Sequence, residues 1–119
     1  MNLYRDIIIS HYKHPKNRGK LEHFTHSAFK ANPTCGDEIE MQILLENDQI
    51  SDIKFHGKGC AISQAACSLM TDYLIGEPVS TAKELTYQDI VEMLGGGPIS
   101  PARVKCAKLG LDVLSAALK

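Results

Sequence analysis

Three consecutive runs decide the fold class: Glu38-Ile39-Glu40-Met41-Gln42-Ile43, then Ile50-Ser51-Asp52-Ile53-Lys54-Phe55, then Gly57-Lys58-Gly59-Cys60-Ala61-Ile62. In the first, apolar and polar residues alternate, the period of a strand with one buried face, and the second is a run of the same kind. Glu46-Asn47-Asp48-Gln49 between them has the composition of a hairpin turn. Beyond Gly57-Lys58-Gly59 the period lengthens. Ile62, Ala65, Ala66, Leu69, Met70, Tyr73 and Leu74 form a helical stripe that ends at Gly76, with Pro78 beyond.

Working outward, Leu3, Tyr4, Ile7, Ile8 and Tyr12 recur at helical spacing, and His14-Pro15 ends that pattern because the residue before proline avoids the α region. Pro15 to Ser27 is polar and reads as a surface loop, and Ala28 to Ala31 offers a third antiparallel strand. Thr86 and Asp89 have capping-box spacing, with Leu85 and Ile90 at the staple positions, so a short helix runs to Leu94. Gly95-Gly96-Gly97-Pro98 breaks the chain. Ser100 as N-cap and Pro101 at the first helical position then start a final helix, with Val104, Ala107, Leu111, Leu114 and Leu118 as its core stripe. A helix, then strands, then helices predicts an α+β fold: a small three-stranded antiparallel sheet with helices packed on one face.

The 119 residues suit one domain, residues 1–119, and 44% hydrophobic with 23% charged residues is an ordinary globular balance. With 13 Lys+Arg against 14 Asp+Glu the formal charge is -1, which supplies no basic field for nucleic acid. The start, Met1-Asn2-Leu3-Tyr4-Arg5-Asp6, lacks the apolar core of a secretory signal, and no later run reaches membrane-spanning length. A cytoplasmic protein with no membrane partner is expected. In that compartment four cysteines read as metal ligands or reactive thiols rather than disulfides.

Three of the cysteines fall at junctions. Cys35 lies in Asn32-Pro33-Thr34-Cys35-Gly36-Asp37, a turn leading into a strand; Cys60 follows two glycines and opens a helix; Cys106 lies in the second turn of the last helix. At a helix N-terminus unpaired N–H groups favour a thiolate, so Cys60 is expected to be reactive or ligating. Asp37 stands two residues after Cys35, and in an extended segment both side chains point one way. Cys35, Asp37, Cys60 and Cys106 together would offer three sulphurs and one oxygen, a set that suits tetrahedral zinc or an iron–sulphur cluster. Spacing alone does not choose, since no C-x-x-C pair is present and a cysteine is also simply a small buried hydrophobe. Cys67 is two turns from Cys60, about 10 Å along the axis, and reads as a packed structural thiol. Arg103, one turn before Cys106, is placed to favour its thiolate and to pair with Asp37 when no metal is bound. His11, His14, His23, His26 and His56 read as surface residues, with His56 the nearest in sequence to Cys60.

These residues resemble a known family. Asn32-Pro33-Thr34-Cys35-Gly36-Asp37 is similar to the N-P-x-C-G-D motif of the IscU, SufU and NifU N-terminal proteins, and Gly57-Lys58-Gly59-Cys60-Ala61-Ile62-Ser63 to their G-x-G-C-A-I-S motif. His11-Tyr12-Lys13-His14-Pro15-Lys16-Asn17-Arg18-Gly19 resembles the family's opening D-H-Y-x-N-P-R-N-x-G. The resemblance implies the SufE/NifU-like α+β fold. It further implies assembly of [2Fe–2S] clusters or acceptance of persulphide sulphur at Cys35, Cys60 and Cys106, with Asp37 the acidic ligand and zinc or iron at the site. Its implied partners are a cysteine desulphurase of the IscS or SufS kind and downstream apo-protein acceptors.

Two departures bear on the role. IscU proteins place a histidine before the third cysteine, whereas Lys105 precedes Cys106 here, and a protonated lysine is a poor ligand. That speaks against a histidine ligand and against recognition by a dedicated Hsp70 chaperone. Arg103-Val104-Lys105-Cys106-Ala107 instead resembles the R-I-K-C-A of SufU proteins, implying zinc-dependent sulphur transfer, yet the Cys60 to Cys106 segment has IscU-like length and lacks the SufU insertion. The scaffold role, which is not an enzyme's, and the sulphurtransferase role therefore both stand. So does a zinc-stabilised interaction domain in which the same ligands only hold the fold. A thiol enzyme with a histidine base has no Cys–His spacing to support it. Cys106 is the expected sulphur acceptor, since it sits on a helix beside the Gly-Gly-Gly-Pro loop.

Overall fold

The computed structural model describes residues 3–34 and 36–119. Helix α1 spans Leu3–Lys13, strands β1, β2 and β3 span His26–Asn32, Asp37–Glu46 and Gln49–Lys58, and helices α2 to α5 span Ala61–Leu74, Val79–Glu84, Tyr87–Met93 and Pro101–Ala117. The strands form one antiparallel sheet in the order β1-β2-β3. The α+β architecture read from the sequence is the one observed.

The hairpin turns on Asn47 and Asp48, at φ of 55° and 61°, with Glu46 paired to Gln49. Two left-handed residues in a two-residue loop match the twist of the flanking strands, and Asn and Asp tolerate that conformation best after glycine. Alternation then assigns the faces. Ile39, Met41 and Ile43, opposite Gly57, Phe55 and Ile53, are fully buried, whereas Glu40 lies opposite His56 on the other face. Helices α2 and α5 cover the buried face, and α1 packs on α2.

Three details differ from the sequence reading. Strand β1 begins at His26, two residues early, because the Thr25 N–H donates to the Ile43 carbonyl at 2.9 Å and starts the ladder there. The preceding loop also closes the free edge of β3: Phe55 N–H donates to the Asn17 carbonyl at 3.0 Å and Gly19 N–H to the Phe55 carbonyl at 2.8 Å. That pairing blunts an edge that would otherwise template association. Helix α3, six residues with only Val79 and Ala82 apolar at its start and middle, has too little periodicity to be read.

The capping box is complete, with Thr86 and Asp89 satisfying each other's backbone N–H groups. Ser100 occupies the N-cap of α5 with Pro101 after it, but its side chain makes no capping bond. Val104 is half-buried, while Leu109, Gly110 and Val113 join the α5 stripe. No helix among the described residues is long and apolar enough to cross a membrane.

Candidate metal and sulphur site

The start of β2, the β3–α2 junction and the start of α5 converge at one place. Asp37 opens β2 on its helix-facing side and is 2% exposed. One carboxylate oxygen accepts the Cys60 N–H at 3.0 Å, and the other lies 3.6 Å from the Cys60 sulphur. Both oxygens of a buried carboxylate thus find donors, which its burial demands.

The two glycines before Cys60 have separate steric jobs. Gly57 has φ of 143°, and a Cβ there would stand 2.0 Å from the Glu38 carbonyl oxygen, so β3 crosses β2 at a distance no side chain permits. At Gly59 the obstacle is the site itself, since a Cβ would lie 2.6 Å from Ser63 Oγ and 2.9 Å from the Asp37 carboxylate. Removing that carbon lets Asp37 reach Cys60. Cys60 is the N-cap residue of α2, and Ser63 Oγ donates to its carbonyl at 3.0 Å.

Cys106 enters from α5, 1% exposed. Ligand atoms of Asp37, Cys60 and Cys106 all lie within 4.8 Å of one another. In a tetrahedral zinc site with arms of about 2.3 Å, neighbouring ligand atoms stand about 3.8 Å apart. A contraction of an ångström or less would close these three on an ion. The fourth expected ligand, Cys35, lies outside the described residues. Gly36, at φ of 78°, donates its N–H to the Asn32 carbonyl at 2.8 Å, and β2 begins at Asp37.

Arg103 stands at the mouth, exposed. Its hydrogen bond to Cys106, then the charge of Cys60, push the guanidinium above its ordinary range, and it bonds Cys60 as well. The ion pair with Asp37 that the sequence suggested does not form among the described residues: the carboxylate is engaged by Cys60 and the guanidinium by the two thiols.

Tyr4 is a neighbour that the sequence reading used only as core. Burial first, then Tyr87, then the charge of Cys60 raise its pKa, while Arg103 lowers it, so its hydroxyl stands in the field of the site. Gly95 and Gly97 allow this, since Cβ atoms there would meet Tyr4 at 3.0 and 3.4 Å. Cys67 is fully buried, its thiol pushed up to about 12 by burial. His56 pairs with Glu40 at 2.8 Å on the opposite sheet face and is excluded as a ligand by alternation.

The family model for the NifU-like N terminal domain matches residues 3–119. The chain belongs to the NifU-like N-terminal domain family. Within it, the iron–sulphur cluster assembly scaffold protein IscU of Aquifex aeolicus is 38% identical over 118 residues, covering 98% of this chain and 74% of the relative. The zinc-dependent sulfurtransferase SufU of Bacillus subtilis is 37% identical over 128 residues, covering 94% and 86%. A crystal structure from Fervidobacterium islandicum, of an iron–sulphur cluster assembly scaffold protein for the SUF system, superposes with a TM-score of 0.79 at 31% identity, covering 96% of this chain and 95% of that one.

Proposed function

We propose that this NifU-like domain serves iron–sulphur cluster assembly, holding zinc, iron or a [2Fe–2S] cluster as cargo at Cys35, Asp37, Cys60 and Cys106 and receiving sulphur from a cysteine desulphurase of the IscS or SufS kind. Apo-proteins are its downstream acceptors, and the reducing cytosol its compartment. The observation that carries this reading is the convergence of Asp37, Cys60 and Cys106, from three separate elements, within 4.8 Å.

Three thiolates and a carboxylate fit zinc, ferrous iron or a cluster held mainly by sulphur. Asp37 is the one hard, exchangeable ligand, and it supports release as much as binding. When no metal is held, its carboxylate returns to the Cys60 N–H and thiol, so the empty pocket keeps its polar groups satisfied.

Sulphur acceptance needs a thiolate. Its sulphur attacks the outer sulphur of the desulphurase persulphide, a new S–S bond forms on this chain as the desulphurase S–S bond breaks, and the desulphurase cysteine leaves as a thiolate. The transferred sulphur keeps its proton, so charge balances. Arg103, hydrogen-bonded to Cys106 and Cys60, is the counter-charge at hand for the reacting sulphur. Cys106 is buried and Arg103 is exposed.

Protein purified without oxygen, with and without a desulphurase and cysteine, tests the proposal by metal analysis and visible absorbance. Cys106→Ser is expected to abolish desulphurase stimulation and cluster yield. Full stimulation with full yield in that variant overturns the assignment.

A further inference from the structure

The segment from His11 to Gly19 carries part of the family resemblance, yet it contributes no residue to the cluster of Asp37, Cys60 and Cys106. Its end is anchored from two sides. On the sheet side the Phe55 N–H donates to the Asn17 carbonyl, the Gly19 N–H donates to the Phe55 carbonyl, and Arg18 lies beside Phe55 in a parallel bridge. On the helix side Ser68 Oγ accepts the Lys16 N–H at 2.7 Å, and Thr71 Oγ1 accepts Asn17 Nδ2 at 3.2 Å. Asn17, at φ of 61°, turns the chain between these anchors.

From this anchorage Arg18 reaches over the β3–α2 junction. One guanidinium nitrogen donates to Gln64 Oε1 and the other to the Gly57 carbonyl at 2.8 Å. Gly57 precedes Cys60 and Gln64 follows it, and the Gln64 N–H donates to the Cys60 carbonyl at 3.2 Å. The guanidinium therefore spans the turn in which Cys60 sits as N-cap. Gln64 is buried, so its side-chain oxygen needs a donor, and Arg18 is that donor. A planar fork holds two acceptors at a fixed separation, which the single ammonium of lysine does not. The turn it spans has little slack: the Cys60 N–H donates to Asp37 at 3.0 Å, and a Cβ on Gly59 would stand 2.9 Å from the same carboxylate. A small opening of the turn would separate Asp37 from Cys60.

We propose that Arg18 is a positioning residue: by bridging Gly57 and Gln64 it holds the β3–α2 turn closed, and with it Cys60 at ligating distance from Asp37. The inference rests on the reading of Asp37 and Cys60 as ligands of one site and adds the residue that sets their spacing. In the D-H-Y-x-N-P-R-N-x-G pattern Arg18 stands at an open position, so the clamp belongs to this chain rather than to the pattern.

Hydrogen exchange of the Cys60 amide, followed by NMR in the full-length, reduced, metal-free protein, reads the Asp37 contact with no metal involved. Arg18→Gln and Arg18→Lys are each expected to speed that exchange by about fivefold or more, the loss of one hydrogen bond. The Phe55 amide, which donates to the Asn17 carbonyl, is expected to exchange as in the parent, showing that the segment stays docked. Asn17→Ala removes the bond to Thr71 but leaves the guanidinium in place, and it is expected to leave Cys60 exchange unchanged. Cobalt(II) binding, read from sulphur-to-cobalt absorbance in competition with a chelator, is expected to weaken in the two Arg18 variants by a similar factor and not in Asn17→Ala. Cys60 exchange unchanged in both Arg18 variants, or sped equally by Asn17→Ala, overturns the proposal. Cobalt bound by the parent without sulphur absorbance overturns the site reading and this inference with it, an outcome told apart because it is seen in the parent alone.

Discussion

At the residue scale the site depends as much on what is missing as on the ligands. Gly59 carries no unusual backbone angle, so Gly59→Ala is not strained locally; its new methyl instead meets Ser63 and the Asp37 carboxylate. Metal affinity is expected to fall by at least tenfold, measured by competition with a zinc chelator, and the melting temperature to fall with it, measured by calorimetry, because buried Ser63 and Asp37 must shift to admit the methyl. An unchanged affinity would show that Asp37 does not need that approach. His11 makes a separate test. Its Nδ1 lies 2.7 Å from Ser68 Oγ, which already accepts the Lys16 N–H at 2.7 Å, so the hydroxyl proton is left for a neutral imidazole. Burial, the largest cause, holds the His11 pKa below its ordinary value, with Asp72 opposing. With a depressed histidine pKa the unfolded chain takes up the proton first, so stability is lost as pH falls through the ordinary histidine value near about 6.5. His11→Gln is expected to flatten that acid limb in urea melts at pH 5 to 7; an unchanged slope contradicts it.

At the scale of elements, the α2–α5 contact is closed by Cys67 against Gly110. A Cβ at Gly110 would stand 2.6 Å from the Cys67 sulphur, so the sulphur fills the gap that the glycine leaves. Gly110→Ala is expected to cost about 1–3 kcal/mol, the range for overpacking a core. Cys67→Ala in the same chain is expected to restore much of it, because removing the sulphur makes room, and a double-mutant cycle in urea reads the coupling. Additive losses would contradict the contact. These elements also show what the sequence reveals. The hairpin, α2, α4 and α5 were legible because period two, period 3.6 and paired caps are local signals. Helix α3 was not, since Gly76, Glu77 and Val79 are held by backbone bonds to Ile50 and Asp48 at the hairpin, a tertiary cause. The same holds for Tyr4 at the site and for the Arg18–Gln64 clamp, whose partners are far apart in sequence.

At the scale of the whole molecule, the hydrophobic core runs from Ile8 through the sheet to Leu118 without Asp37 or Cys60, and Cys106 is buried on the α5 side of it. A core of that extent is expected to fold without an ion, unlike small domains whose metal supplies the folding free energy. Removing metal with a chelator is expected to leave far-ultraviolet circular dichroism unchanged and unfolding cooperative. Loss of the fold on chelation would favour a purely structural zinc. Motif residues announced Asp37 and Cys60 and the resemblance added Cys106, whereas the approach of Cys106 to them depends on α5 lying across the sheet.

The measurement that bears most directly on the shared site is X-ray absorption of the zinc-loaded protein, compared with its Cys106→Ser variant. Ligation by Cys35, Asp37, Cys60 and Cys106 predicts three sulphurs at about 2.3 Å and one oxygen at about 2.0–2.2 Å per zinc, falling to two sulphurs in the variant. Two or fewer sulphurs in the parent, or a shell unchanged by Cys106→Ser, would contradict the site.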